Sequence, residues 1–324
     1  MDPSKWKTIH GWTTYEYRYY FQAADTSIYP VKPTILFLHG FPSISAHWVN
    51  CVAHFTSKGY GVVVPDMLGY GGSSKPSDLS AYGGAVQAED FTKILDKEGM
   101  DKVIVVGHDW GCRVASRLAN LFPDRHLGTV FIGVGYTDPT PDGPSVVAQV
   151  RLIIGREVFG YWSFFDDDEC PEIISNHFSS HHTLAFASSP DYFRDTLGPK
   201  GGIREWLLSD RQAHISDWAP SKDEYEAAFL KDGWKGPTNW YRCLMRNAWG
   251  EKERELAASP QQITHPVLLV VTTQDQVSIP QIAISNTVPI CTNISIKEIH
   301  TLHWPMLEKP KELNGILEEF IEAL

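Results

Sequence analysis

The stretch that most limits how this chain can fold is Val103-Ile104-Val105-Val106-Gly107-His108-Asp109-Trp110-Gly111-Cys112. Four successive β-branched residues form a strand apolar on both faces, which is stable only inside a sheet covered by helices on each side. The small residues Gly107 and Gly111 then let the chain turn sharply into a helix whose apolar positions are Val114, Leu118 and Leu121. Such a turn exposes its central side chain, Asp109, at the carboxyl edge of the sheet.

The rest of the first 136 residues repeats this alternation. Continuous apolar runs at residues 34–38, 61–64, 103–106 and 129–134 predict buried strands, and an aromatic alternating run at 13–21 predicts another. Residues 85–95 and 112–121 carry helical spacing. Alternation of this kind predicts an α/β fold with a mostly parallel central sheet flanked by helices. Strand-like runs then stop. Short helical pieces with turns rich in Pro, Gly, Ser and Asp follow, and Trp162, Trp206, Trp218, Trp234, Trp240 and Trp249 fall among them. Strand patterning resumes at 267–272 and 294–299, and a last helix carries Leu313, Ile316, Leu317, Phe320, Ile321 and Leu324. The reading is a discontinuous core, residues 1–137 and 259–324, interrupted by a helical lid at 138–258 whose wide aromatic rings suit the roof of an apolar pocket.

With 324 residues and 43% hydrophobic side chains, the chain can bury a large core. Its 28 basic against 39 acidic residues give a net charge of −11, which disfavours nucleic acid and anionic lipid surfaces and leaves a small neutral ligand as the expected partner. Five scattered cysteines without a Cys-x-x-Cys pair predict neither a disulfide framework nor a zinc ribbon. No signal peptide or membrane-spanning run is recognisable, so a cytoplasmic location without membrane insertion is expected. Oligomeric state leaves no mark in the sequence.

The chemistry starts from Asp109. A carboxylate is already anionic near neutral pH and can displace a leaving group from saturated carbon directly, forming an ester of the protein. Helix capping is the competing structural role for an aspartate there. Hydrolysing the ester requires a base. His303, in the loop after the last predicted strand, is preferred to His300 at the strand end. Asp275, after the preceding strand, is preferred to Asp138 as the acid that orients the base. Backbone N–H groups of Phe41 and Trp110 would form the oxyanion site, while His39 is assigned a structural role.

These residues, taken together, resemble the soluble α/β-hydrolase-fold epoxide hydrolases, relatives of the haloalkane dehalogenases. The likeness spans nearly the whole length through His39-Gly40-Phe41-Pro42, Gly69-Tyr70-Gly71-Gly72-Ser73, Gly107-His108-Asp109-Trp110-Gly111, Asp275 and His303-Trp304. The resemblance implies a cofactor-independent enzyme, with no metal, that opens a small hydrophobic epoxide to a vicinal diol. It further implies two lid tyrosines that hydrogen-bond the epoxide oxygen. Asn239-Trp240-Tyr241-Arg242 makes Tyr241 one of them, and Phe159-Gly160-Tyr161-Trp162 makes Tyr161 the other. Phe41, Trp110, Trp162, Trp240 and Trp304 are the expected substrate-contacting rings. Leu302 stands where the family usually has glycine. The alternatives are a haloalkane dehalogenase, which commonly has asparagine at the position of Phe41, and a pathway-specific epoxide-opening enzyme of secondary metabolism.

Three other signals are assigned structural roles. Gly69-Tyr70-Gly71-Gly72-Ser73-Ser74 reads as a turn rather than a dinucleotide loop. The acidic run Asp166-Asp167-Asp168-Glu169 reads as a solvated surface, and His177, His181 and His182 lack the acidic or thiol partner of a zinc site.

Overall fold

A computed structural model describes residues 1–324. Eight strands, β1 (Trp6–His10), β2 (Glu16–Gln22), β3 (Thr34–Leu38), β4 (Gly61–Pro65), β5 (Val103–His108), β6 (His126–Ile132), β7 (Val267–Thr272) and β8 (Ile294–Ile299), form one sheet in the order β1-β2-β4-β3-β5-β6-β7-β8. The six strands from β4 to β8 run parallel, and β1 and β2 close one edge antiparallel. Flanking helices are α1 (Val49–Ser57), α2 (Ala85–Lys97) and α3 (Trp110–Leu121). Strands β3, β4, β5 and β7 are buried almost throughout, as continuous apolar runs between two helical layers require. The chain belongs to the α/β class that this patterning implies.

Two local expectations are corrected. The aromatic strand β2 starts at Glu16 rather than residue 13, because Gly11 N–H closes a turn on the Tyr15 carbonyl. Its partner β1 was not anticipated. The sequence Trp6-Lys7-Thr8-Ile9-His10 is half polar, and it is its antiparallel pairing with β2, from Trp6 with Tyr20 to His10 with Glu16, that fixes it in the sheet.

Between β6 and β7 the chain leaves the sheet. It forms α4 (Gly143–Ile154), α5 (Gly160–Asp166), α6 (Cys170–Asn176), α7 (Phe178–Ala185) and α8 (Pro190–Tyr192). It continues through α9 (Gly202–Leu208), α10 (Lys222–Phe229), α11 (Lys235–Met245) and α12 (Glu251–Ala257) before β7 pairs in parallel with β6. The last helices are α13 (Pro280–Thr287), α14 (Pro305–Glu308) and α15 (Pro310–Glu322). No helix is long and apolar enough to cross a membrane.

The helical segment is fastened to the sheet side by buried polar contacts. Trp240 donates its indole N–H to the Leu68 carbonyl at 3.0 Å, and Trp304 donates to the Ala185 carbonyl at 2.9 Å. Glu253 on α12 is fully buried and accepts the Ala85 N–H at 2.8 Å, capping α2. Beside it, the buried Arg113 donates to the Gly83 carbonyl at 2.6 Å and the Pro139 carbonyl at 2.7 Å. Removing the Glu253 carboxylate strands a buried N–H and weakens the electrostatic environment of Arg113. Glu253→Ala should therefore lower stability by about 1–3 kcal/mol, read as a lower denaturant midpoint at unchanged slope.

Candidate active site

Asp109 sits between the end of β5 and the start of α3, with φ 53° and ψ −123°. A non-glycine residue at positive φ is strained, and here neighbouring glycines make the conformation feasible. A Cβ on Gly111 would overlap the Leu38 carbonyl, and one on Gly40 would overlap the Asp109 carboxylate. Their absence lets β3 and its turn close around the carboxyl group. As a result Phe41 N–H donates to Asp109 Oδ1 at 2.7 Å. The Trp110 N–H also contributes a backbone hydrogen bond to the same carboxylate.

His303 follows β8 and is 3% exposed. Its Nδ1 donates to Asp275 Oδ2 at 2.7 Å, which leaves Nε2 facing Asp109 Oδ2 at 3.7 Å. Asp275 is in turn held by the Val277 N–H at 2.7 Å and the Thr272 hydroxyl at 3.2 Å. The residues picked as nucleophile, base and acid are thus brought together in one buried row. Asp138 is elsewhere. Its backbone carbonyl accepts from Arg113 at 3.0 Å, and it lines the cavity without reaching His303. His300 is exposed and bonds Thr273.

The electrostatics separate the two carboxylates. Burial raises the Asp109 pKa, and His303 with the two backbone donors opposes it only in part. Burial also acts against ionised Asp275, but the His303 charge and hydrogen bond with the Val277 N–H outweigh it, so its pKa is lowered. For His303, burial disfavours the cation, while Asp275 and then Asp109 favour it more strongly and raise the pKa. One carboxylate is held charged by its partner, and the other carries a raised pKa.

Two connected cavities meet at the site. The wider, about 280 Å³, reaches Asp109, Trp110, Trp162 and Asp138, and the narrower, about 40 Å³, reaches Phe41, Phe165, His181, His303 and Trp304. Tyr161 on α5 and Tyr241 on α11 line both, with ring centroids 5.8 Å apart. Phe41 packs on Tyr241 at 5.1 Å and Phe165 at 4.6 Å. Trp240 is corrected: it lines neither cavity. One residue from Tyr241 on the same helix, it points about 100° away, is fully buried, and binds Leu68 and packs on Tyr82.

Leu302 is buried and its N–H donates to Glu308 at 2.9 Å, and His303 still reaches Asp275. His39 accepts the Met67 N–H at 3.0 Å, and burial lowers its pKa to about 4, consistent with a neutral structural ring. The acidic run forms ion pairs with Arg204 and Arg246. His177, His181 and His182 have separate partners in Asp210, Tyr225 and the Pro220 carbonyl. Sequence reasoning missed His108, whose Nε2 donates to the His303 carbonyl at 2.8 Å and so anchors the loop that carries His303. Its position directly before Asp109 was the available signal. Val277 was also missed, although an N–H two residues after an aspartate is a common partner for its side chain.

With this geometry established, comparison with known proteins gives the family. Residues 33–310 match the model described as the alpha/beta hydrolase fold, and the chain belongs to that family. Bifunctional epoxide hydrolase 2 of Sus scrofa is 28% identical over 299 residues, covering 90% of this chain and 52% of that protein. The chain thus spans about half the length of the bifunctional relatives it matches. Epoxide hydrolase A of Mycobacterium tuberculosis is 27% identical over 317 residues, covering 91% of this chain and 92% of that one. The crystal structure of epoxide hydrolase A from Mycobacterium thermoresistibile superposes with a TM-score of 0.78 at 27% identity, covering 98% of both chains.

The paired titration makes a direct prediction. Asp275→Asn removes the main anion that raises His303 while leaving its burial, so the His303 pKa should fall. An imidazole NMR titration of the variant checks the shift, and an unchanged midpoint would remove Asp275 as its cause.

Proposed function

We propose that this chain is a cofactor-independent epoxide hydrolase, with residues 138–258 acting as a lid over the core formed by residues 1–137 and 259–324. One arrangement carries the reading: Asp109, bound at Oδ1 by the Phe41 N–H and facing His303 from Oδ2, shares a cavity with two phenols. Relatives named epoxide hydrolases, matching most of this chain at 26–29% identity, support it.

In the proposed reaction, Asp109 Oδ2 attacks an oxirane carbon. The C–O bond breaks, its electron pair goes to oxygen, and Tyr161 and Tyr241 donate to that oxygen, one giving up its proton. A neutral phenol does this without neutralising the adjacent carboxylate. Water then loses a proton to His303 Nε2 and attacks the ester carbon of Asp109. The resulting oxyanion on Oδ1 is held by the N–H groups of Phe41 and Trp110. Collapse releases the diol, the alkoxide taking the proton from His303, and the acid proton left on Asp109 passes to the phenolate, restoring both groups. Trp110, Trp162, Trp304 and Phe41 would contact a small hydrophobic epoxide. Phe41 and the tyrosine pair favour this reading over a haloalkane dehalogenase, since a departing halide needs donors but no proton.

Three outcomes test it. Turnover of an epoxide in heavy-oxygen water should place the label in the Asp109 side chain, and a carboxylate that stays unlabelled would falsify the scheme. His303→Gln should accumulate an alkyl-protein adduct by intact mass, because ester formation does not need the imidazole, and Asp109→Ala should form none. Esterification also removes one anion that raises His303, so its pKa falls in the ester. The acid limb of ester hydrolysis should therefore lie at lower pH than the His303 titration of the free protein. Single-turnover rates against pH and imidazole NMR supply the two midpoints.

A further inference from the structure

Behind the two phenols lie two indole N–H groups that the scheme above does not use. The Nε1 atoms of Trp110 and Trp162 are sealed from solvent and have no hydrogen-bond partner. A buried N–H without an acceptor is costly, and of the five unpartnered indole N–H groups, Trp110, Trp162, Trp206, Trp234 and Trp249, those of Trp110 and Trp162 alone belong to residues lining the cavity with both phenols. Trp110 meets Tyr241 edge-on, with centroids 5.1 Å apart and planes at 89°. Trp162 meets Tyr161 in the same way at 6.3 Å and 87°. Both indoles are held in place, Trp110 against Trp240 at 5.6 Å and Trp162 stacked on Phe159 at 4.3 Å.

Resting on the epoxide reading, we propose that Trp110 and Trp162 are positioning residues whose indole N–H groups stabilise the phenol oxygens of Tyr241 and Tyr161 as the oxirane opens. When the ring C–O bond breaks, the oxygen takes the proton of one phenol while the other donates a hydrogen bond, and the negative charge that began on Asp109 resides on the first phenol's oxygen. The indole beside that phenol keeps its proton and donates a hydrogen bond to the charge, an interaction stronger than one to the neutral phenol, and the second indole supports the phenol that remains a donor. Both therefore favour the transition state over the bound substrate. The proton returns to the phenolate from the carboxylic acid that ester hydrolysis leaves on Asp109. The electrostatics agree. Burial and then the neighbouring groups, Asp109 among them, push both phenols upward, and the adjacent indole opposes this in each case.

The test uses the full chain with styrene oxide in single-turnover alkylation. Trp110→Phe and Trp162→Phe keep an aromatic ring and the backbone donor while removing the indole N–H. Each should slow alkylation roughly ten- to hundredfold. In a Tyr241→Phe background Trp110→Phe should add nothing further, and likewise Trp162→Phe in a Tyr161→Phe background. Independent, additive losses would overturn the pairing. A substrate-free check is the indole N–H NMR signal of Trp110, which should move in Tyr241→Phe and stay in Tyr161→Phe. A signal indifferent to both phenols overturns the inference. A wild-type protein that forms no ester defeats the epoxide reading and this inference with it. A wild-type ester formed no faster than in the tryptophan variants defeats the inference alone.

Discussion

The site depends on the backbone of Asp109. At φ 53° the residue is in a conformation that costs of the order of 1–3 kcal/mol, and it persists because the surroundings leave no alternative. Gly111 presses against the Leu38 carbonyl and Gly40 against the carboxylate, so β3, β5 and α3 converge at a distance that a single methyl group would prevent. The same convergence aims the Phe41 N–H at Oδ1. Strain and preorganisation are therefore one feature: the backbone that is costly to hold is the one that presents both the carboxylate and its backbone donors.

Around that point, charge is distributed by burial and pairing. Asp109, Asp275 and His303 are all nearly inaccessible, and two carboxylates with one imidazole cannot be solvated equally. Asp275 takes the hydrogen bond from Nδ1 and with it the lowered pKa, while Asp109 at 3.7 Å from Nε2 keeps a raised one. His108 completes the arrangement from outside the row. Its own pKa is driven well down by burial and then by His303, so it remains a neutral donor to the His303 carbonyl and adds no competing charge.

The sheet was legible in the sequence where burial was two-sided. Residues 34–38 and 267–272 coincide with β3 and β7 because continuous apolar runs between turn residues have few other solutions. β1 escaped because an edge strand is half polar and is held by its partner rather than by its own pattern. The nucleophile candidate was legible for a different reason: the strand, small-residue turn and helix around Asp109 lie within ten residues. Asp275 and His303 required the chain order of a known family, since nothing local brings residues separated by more than a hundred and sixty positions together. Trp240 shows the limit of reading aromatic content as a pocket. Helical geometry sends neighbours 240 and 241 to different faces, and composition carries no such direction.

The division of the site between two parts of the chain has a chemical consequence. Asp109, His303 and the Phe41 N–H belong to the sheet and its loops, whereas Tyr161 and Tyr241 come from α5 and α11. In the proposed scheme ring opening needs both parts in register, because carbon and oxygen of one strained ring are handled from opposite sides. Ester hydrolysis needs only the sheet side. A shift of α5 or α11 would therefore slow the first half-reaction and spare the second. In that scheme the polar contact from Trp240 to Leu68, which holds α11 against the sheet side, acts on the chemistry through the leaving oxygen and not through the base.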